Sequence, residues 1–297
     1  MKVAFLGLGA IGAPMARHLA PRYELSVWNR TASRATEFAK EMSARAASSP
    51  ADAVRGAAVA ITCLPTSKEV ESLLDGADGM LGAFDRGATL VDCTSGDPAT
   101  SRRIAGRLAE RGVGFVDAPV SGGVSGAVKG ILTIMCGGDE ATMVRARPVL
   151  EAFGEKIVLC GPIGAGHAVK AVNQAMLGIH IWSLSEGLVA LQKAGVSTAT
   201  ALDVINASSG RSNTSMNLFP ERVMTRAFPR TFRLALMDKD VRIAADFARE
   251  YGVASPLLQL ASELLREARR ELGEDADHVE TVKVLEKWAG VTLGSKP

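Results

Sequence analysis

Lys170, Asn173 and Gln174 put an ammonium and two carboxamides within about one helical turn of each other. Side chains three and four residues apart share a helix face, so the three can act together on one small polar molecule. The lysine lies in a run that is otherwise apolar: Ala171, Val172, Ala175, Met176, Leu177, Ile179, Ile181, Trp182 and Leu184. A helix apolar on nearly every face is expected to be buried, here as a long spine packed against two domains. An ammonium is costly to desolvate there unless it has a partner or a task. Burial also tends to lower a lysine pKa, the direction that proton exchange near neutrality needs. Lys170 is therefore the candidate general acid/base, with Asn173 and Gln174 orienting a substrate. The competing reading is a lysine that snorkels from a helix end.

A second constellation begins at residue 7. Gly7-Leu8-Gly9-Ala10-Ile11-Gly12 follows an apolar strand and opens an amphipathic helix, the context in which a GxGxxG run binds a dinucleotide. Gly7 permits the tight turn, Gly9 lets backbone approach a pyrophosphate, and Gly12 lets helix and strand pack closely. The helix N-terminus then favours the phosphate charge. At the end of the next strand, where an NAD site carries Asp or Glu, the chain has Asn29-Arg30-Thr31. Arg30 can pair with a 2′-phosphate through its planar fork, with Asn29 and Thr31 adding hydrogen bonds, so NADP is expected over NAD. A third constellation, Ser121-Gly122-Gly123, directly follows an apolar strand. Its hydroxyl and open amides can hold a carboxylate, although a plain Gly turn has the same look.

These groups need a frame. Short apolar runs at Val3–Leu6, Glu24–Trp28, Ala58–Cys63, Thr89–Asp92, Gly114–Asp117, Leu132–Cys136 and Lys156–Cys160 alternate with stretches of helical period. After Gly164 the strand signals stop, and helices are expected at 166–194, 198–208, 217–226, 238–251, 256–272 and 277–288. The fold class is thus α/β, a doubly wound (Rossmann) parallel sheet followed by an all-α domain joined by a long buried helix. Gly161, Pro162, Gly164 and Gly166 mark the boundary, giving a nucleotide-binding domain at 1–163 and a helical substrate and dimerisation domain at 164–297.

Composition narrows the function classes. With 47% apolar and 22% charged residues the chain can build ordinary soluble cores, and a net charge of +2 without a dense basic run argues against nucleic acid. No apolar run reaches the roughly 20 residues that span a bilayer. The four cysteines form no CxxC pair, so they read as reduced core residues of a cytoplasmic protein, with no metal site expected.

Taken together, these motifs resemble the β-hydroxyacid dehydrogenases, which include 3-hydroxyisobutyrate dehydrogenase and tartronate semialdehyde reductase. The resemblance runs from Val3 to about Ala245. Gly7–Gly12 with Pro14-Met15-Ala16 is similar to the family's N-terminal signature, and Asp117–Gly123 with Gly126-Ala127 and Gly130 to its substrate motif. Gly164, Gly166, Lys170 and Asn173 match its catalytic motif, and Lys239-Asp240 its C-terminal cofactor motif. The resemblance implies hydride transfer between NADP(H) and a small 3-hydroxy acid or its semialdehyde. It implies Lys170 as acid/base and the substrate carboxylate at Ser121, Gly122 and Gly123. Less forcefully it implies Leu64 and Pro65 beside the cofactor, Ser95 near the nicotinamide ribose, and Phe232 as an apolar wall. A homodimer or homotetramer is expected, since the family often pairs through its helical domain. Asn173-Gln174 is more similar to the tartronate semialdehyde branch than to the Asn-Asn of 3-hydroxyisobutyrate dehydrogenases, which leaves the substrate open. A glyoxylate or succinic semialdehyde reductase of the same family and a non-catalytic NADP-binding module are the alternatives.

Overall fold

A computed structural model describes residues 1–294. The first part alternates strands and helices: β1 (Lys2–Leu6), α1 (Gly12–Leu19), β2 (Glu24–Trp28), α2 (Ala32–Met42), β3 (Arg45–Ala46), α3 (Pro50–Val54), β4 (Val59–Thr62), α4 (Ser67–Ser72), β5 (Thr89–Asp92), α5 (Pro98–Ala109), β6 (Gly114–Asp117), β7 (Val120–Ser121), α6 (Gly123–Lys129), β8 (Leu132–Gly137), α7 (Glu140–Leu150) and β9 (Gly154–Gly161). Strands β3-β2-β1-β4-β5-β6 lie side by side and parallel. Beyond β6 the sheet becomes mixed: β8 runs antiparallel to β6 and β7, while β9 joins β8 in parallel.

Both faces of this sheet are covered, which is why its strands read as continuous apolar runs. Alternate residues of β1 feed two cores. Val3 and Phe5 pack with Met15, Leu19, Val27, Ile61 and Val116, whereas Ala4 and Leu6 pack with Val54, Ala60, Leu90, Ile104 and Leu108. Four elements were not legible in the sequence. β3 and β7 have two residues each, too short for a period, and α3 is five residues long. The fourth, α6, holds Gly123 and Gly126, residues of poor helix propensity, so it reads as turn.

The second part is helical: α8 (Ala165–Lys193), α9 (Thr198–Asn206), a π-helix (Thr214–Val223), α10 (Leu234–Glu250), α11 (Pro256–Leu272), a 3₁₀ turn (His278–Thr281) and α12 (Val282–Ala289). The sequence expectation of an α-helix at 217–226 is corrected. Pro220 sits inside that segment and lacks a donor for the α ladder, and the wider π pattern takes its place. The expectation that α8 is buried all round is also corrected, because Val169, Val172 and Met176 form an exposed row along it. On the opposite side Gly178 lets Leu265 and Val241, from α11 and α10, approach closely.

The chain divides into two compact units, Met1–Ala171 and Val172–Pro297. By packing, the division falls inside α8, shortly after the glycine-rich loop. Its first turns are bonded to residues at the ends of β5 and β6, and so belong with the sheet.

Candidate active site

The glycine loop lies where the strand order reverses, between β1 and β4, at the carboxyl edge of the sheet. Such a switch point is where open α/β sheets bind ligands. Gly7 has φ +109°, and a Cβ there would meet the Cys63 carbonyl oxygen at 2.3 Å; one on Gly12 would meet the Gly7 carbonyl at 2.0 Å. The chain's own packing therefore demands both. Gly9 differs, because a Cβ there would have nothing within 4 Å. Its missing side chain leaves open space beside the start of α1, which fits a pyrophosphate approaching the backbone.

The end of β2 is tied to this loop. Leu8 N–H donates to Asn29 Oδ1 at 3.0 Å, and Asn29 Nδ2 donates to the Thr31 carbonyl at 3.0 Å. One end of the Asn29 amide thus braces the glycine loop and the other its own turn, while Arg30 and Thr31 are exposed at the strand end. On the neighbouring strands Leu64 N–H donates to Thr94 Oγ1 at 3.1 Å, which joins the Leu64-Pro65 turn to the segment carrying Ser95.

Lys170 is 7% exposed, one turn into α8. The start of that helix is held by Asp117, whose carboxylate accepts from Gly164 N–H at 2.7 Å and His167 N–H at 2.9 Å. Burial pushes the Asp117 carboxyl above its ordinary value, against the opposing pull of His167 and of these amides. A few residues along the chain, Ser121 is half-buried on β7, paired with Thr133. Gly122 and Gly123 are exposed and left-handed, with φ +131° and +63°.

In the helical unit, Gln174 is buried and donates through Nε2 to Asp240 Oδ2 at 3.3 Å. Lys239 Nζ lies 2.9 Å from the other Asp240 oxygen, so one buried carboxylate joins two residues that the motifs single out. Asn173 is exposed, at the edge of the face it was expected to share, and donates to Gln174 Oε1 at 3.3 Å. Phe232 is half-buried and held at both ends of its peptide. Its N–H donates to Asp277 Oδ2 at 3.0 Å, its carbonyl accepts from His278 N–H at 2.9 Å, and the two rings meet edge-on at 5.6 Å.

Burial alone would push the Asp277 carboxyl up. The bond and charge of His278 and the amides of Phe232 and Thr231 outweigh it and hold the group far below its ordinary value. A carboxyl depressed on folding stabilises the fold above its unfolded pKa, and that stability is lost as pH falls through the folded value. Asp277→Asn is expected to cost roughly 3 kcal/mol at pH 7 and to weaken the acid dependence of melting. An unchanged melting temperature at pH 7 would show that the carboxylate holds nothing.

Burial pushes the Cys63 and Cys136 thiols up to about 12, and all four cysteines are unpaired. Among the described residues no three His, Cys, Asp or Glu are grouped to hold a metal ion. No described helix is long and apolar enough to cross a membrane. Asp117, His167, Asp240 and Asp277 carry the framework of these sites, yet sequence reasoning gave none of them a positioning role. Asp117, His167 and Asp240 act on residues distant in the chain, for which no local pattern exists. Asp277 does carry a local signal, the Asp-x-x-Glu capping box it forms with Glu280, but its bonds to Thr231 and Phe232 are distant too.

Comparison with known proteins agrees with this architecture. Residues 2–161 match the NAD-binding domain of 6-phosphogluconate dehydrogenase, and residues 164–285 match the NAD-binding domain of NADP-dependent 3-hydroxyisobutyrate dehydrogenase. The chain is 36% identical to 3-hydroxyisobutyrate dehydrogenase of Pseudomonas aeruginosa, over 88% of this chain and 90% of that one. It is 32% identical to 2-hydroxy-3-oxopropionate reductase of Escherichia coli, over 99% of this chain and 100% of that one. Mycobacterium tuberculosis 3-hydroxyisobutyrate dehydrogenase, solved with L-serine, superposes with a TM-score of 0.87 at 31% identity, covering 96% of this chain and 98% of that one. With both units matched and a nucleotide loop at the switch point of the sheet, the chain belongs to the β-hydroxyacid dehydrogenase family of NAD(P)-dependent oxidoreductases.

Proposed function

We propose that the chain moves hydride between NADP(H) and a small 3-hydroxy acid or its semialdehyde, with Lys170 as general acid/base. The observation that carries this reading is a lysine 7% exposed on the helix whose first amides are anchored by Asp117. When bound, the nicotinamide supplies hydride to the carbonyl carbon or takes it from the carbinol carbon. Lys170 Nζ gives a proton to the carbonyl oxygen during reduction and takes the hydroxyl proton during oxidation. Ser121 Oγ and the amides at Gly122 and Gly123 bind the substrate carboxylate. Asn173 and Gln174 orient the substrate, Phe232 supplies an apolar wall, and Lys239 serves the cofactor.

NADP is the preferred cofactor in this reading because the exposed cation at the end of β2 is Arg30, with no carboxylate beside it to repel a 2′-phosphate. Arg30→Ala is expected to weaken NADPH about 10- to 100-fold, the worth of one or two charge-assisted hydrogen bonds, and to leave NADH nearly unchanged. An equal loss for both cofactors would assign Arg30 to the fold. The exposed Val169, Val172 and Met176 row supports a homodimer or homotetramer, which sedimentation of the purified protein checks. The four unpaired thiols are in keeping with a cytoplasmic enzyme.

The reading is tested by NADPH oxidation with glyoxylate, succinic semialdehyde, tartronate semialdehyde and methylmalonate semialdehyde, with NADH in parallel. A clear rate with one of these acids and NADPH supports it and names the substrate. Tight NADPH binding without turnover of any of them counts against it.

A further inference from the structure

The start of α8 is held by more than its own hydrogen-bond ladder. Asp117 gives acceptors to two of the amides that every helix leaves unpaired at its N-terminus, with negative charge where the helix dipole favours it. The His167 ring, fully buried, adds two side bonds. Its Nδ1 lies 2.6 Å from Ser101 Oγ on α5, and its Nε2 lies 2.8 Å from the carbonyl of Thr94, just past β5. A carbonyl can only accept, so Nε2 carries a hydrogen in either charge state of the ring. On the same side, Asp92 Oδ2 is buried without a hydrogen-bond partner, 3.9 Å from Nε2, and its charge favours a donor there.

Little slack remains around this knot. A Cβ on Gly166 would meet the Met135 carbonyl oxygen at 2.2 Å, and one on Gly96 would meet His167 Cε1 at 2.8 Å. His167 therefore ties the helix turn that ends in Lys170 to Thr94 after β5 and Ser101 on α5 through its ring, and to Asp117 at the end of β6 through its backbone N–H. His167 itself is 0% exposed, so it touches neither substrate nor cofactor.

We propose that His167, with Asp117 and Ser101, is a positioning residue that sets the height and rotation of the first turn of α8. It thereby places Lys170 Nζ against the Ser121–Gly123 turn and the Thr94-Ser95 segment. The proposal rests on Lys170 being the acid/base. Its force comes from the steepness of proton transfer with distance, since a misplacement of about 1 Å costs on the order of 100-fold in rate.

The test compares His167→Ala, His167→Gln and Ser101→Ala with Lys170→Ala, measuring kcat, KM, the NADPH dissociation constant and the deuterium isotope effect on kcat. Gln can place a donor where Nε2–H stands and so keep the Thr94 link. His167→Ala is expected to lower kcat about 100-fold. KM and NADPH affinity should hold, and the isotope effect should rise as the chemical step becomes limiting. His167→Gln should recover part of kcat, and Ser101→Ala, which removes only a hydroxyl and covers the case of a misfolded His167→Ala, should show a smaller loss of the same kind. Equal loss in the Ala and Gln variants, or KM and NADPH affinity changing as much as kcat, would make His167 a residue of the fold only. Full activity of Lys170→Ala would sink the acid/base reading itself. An inactive Lys170→Ala beside fully active His167 and Ser101 variants would overturn the positioning role alone.

Discussion

Lys170→Ala is expected to lower kcat by about a thousandfold, within the range that one well-placed acid/base supplies. NADPH affinity should survive, because the open space at Gly9 and the exposed Arg30 lie on loops after β1 and β2, away from α8 in the chain. Without Nζ, negative charge develops on the substrate oxygen during reduction with no proton to meet it. Lys170→Arg sharpens the test. It keeps the positive charge, but a guanidinium does not release its proton at accessible pH. A rate that stays low in the Arg variant therefore identifies proton transfer, whereas recovery of most of the rate would reduce the role of Lys170 to charge. Single-turnover measurement with saturating NADPH separates this loss from any change in binding.

Gly9→Ala should give the second large effect, and in the opposite compartment of the kinetics. The added methyl meets no protein atom within 4 Å, so the melting temperature should stay close to that of the parent. It would stand in the space where the pyrophosphate meets the backbone, and overpacking of this kind costs about 1–3 kcal/mol. NADPH and NADH should both weaken about 10- to 100-fold, since the pyrophosphate is common to them. Gly12→Ala is the control: its Cβ would overlap the Gly7 carbonyl, so stability falls together with affinity. A Gly9→Ala protein that binds both cofactors normally would remove the pyrophosphate from this loop.

The two variants show how differently the sites are written into the chain. The glycine loop is local. Six consecutive residues contain both the tight turn and the open position at Gly9, and the strand and helix that flank them carry their own periods, so the motif and its place in the fold could be read together. The lysine was legible for another reason, as a charge set in an apolar run of helical length. The same reasoning went too far with α8, because apolar residues on every side do not reveal which side lacks a neighbour. Val172 and Met176 turned out exposed, and Asn173 with them.

The residues that hold the site together left no such mark. Asp117 bonds to amides 47 and 50 positions away, and His167 to Ser101 and Thr94 at separations of 66 and 73. In the helical unit Asp240 reaches back 66 residues to Gln174. Backbone amides look alike in every sequence, and a carboxylate that accepts from two of them cannot be told in advance from one on the surface.

The alternation of strand and helix, the glycine loop and the lysine set in an apolar helical run were readable from the chain, because each follows from periodicity or spacing within a dozen or so residues. Tertiary structure alone decided that the units divide inside α8, that Asn29 braces the glycine loop, and that a buried histidine and aspartate anchor the turn bearing Lys170. Those outcomes depend on which distant strand ends are brought together, and packing of the sheet sets that, not any local propensity.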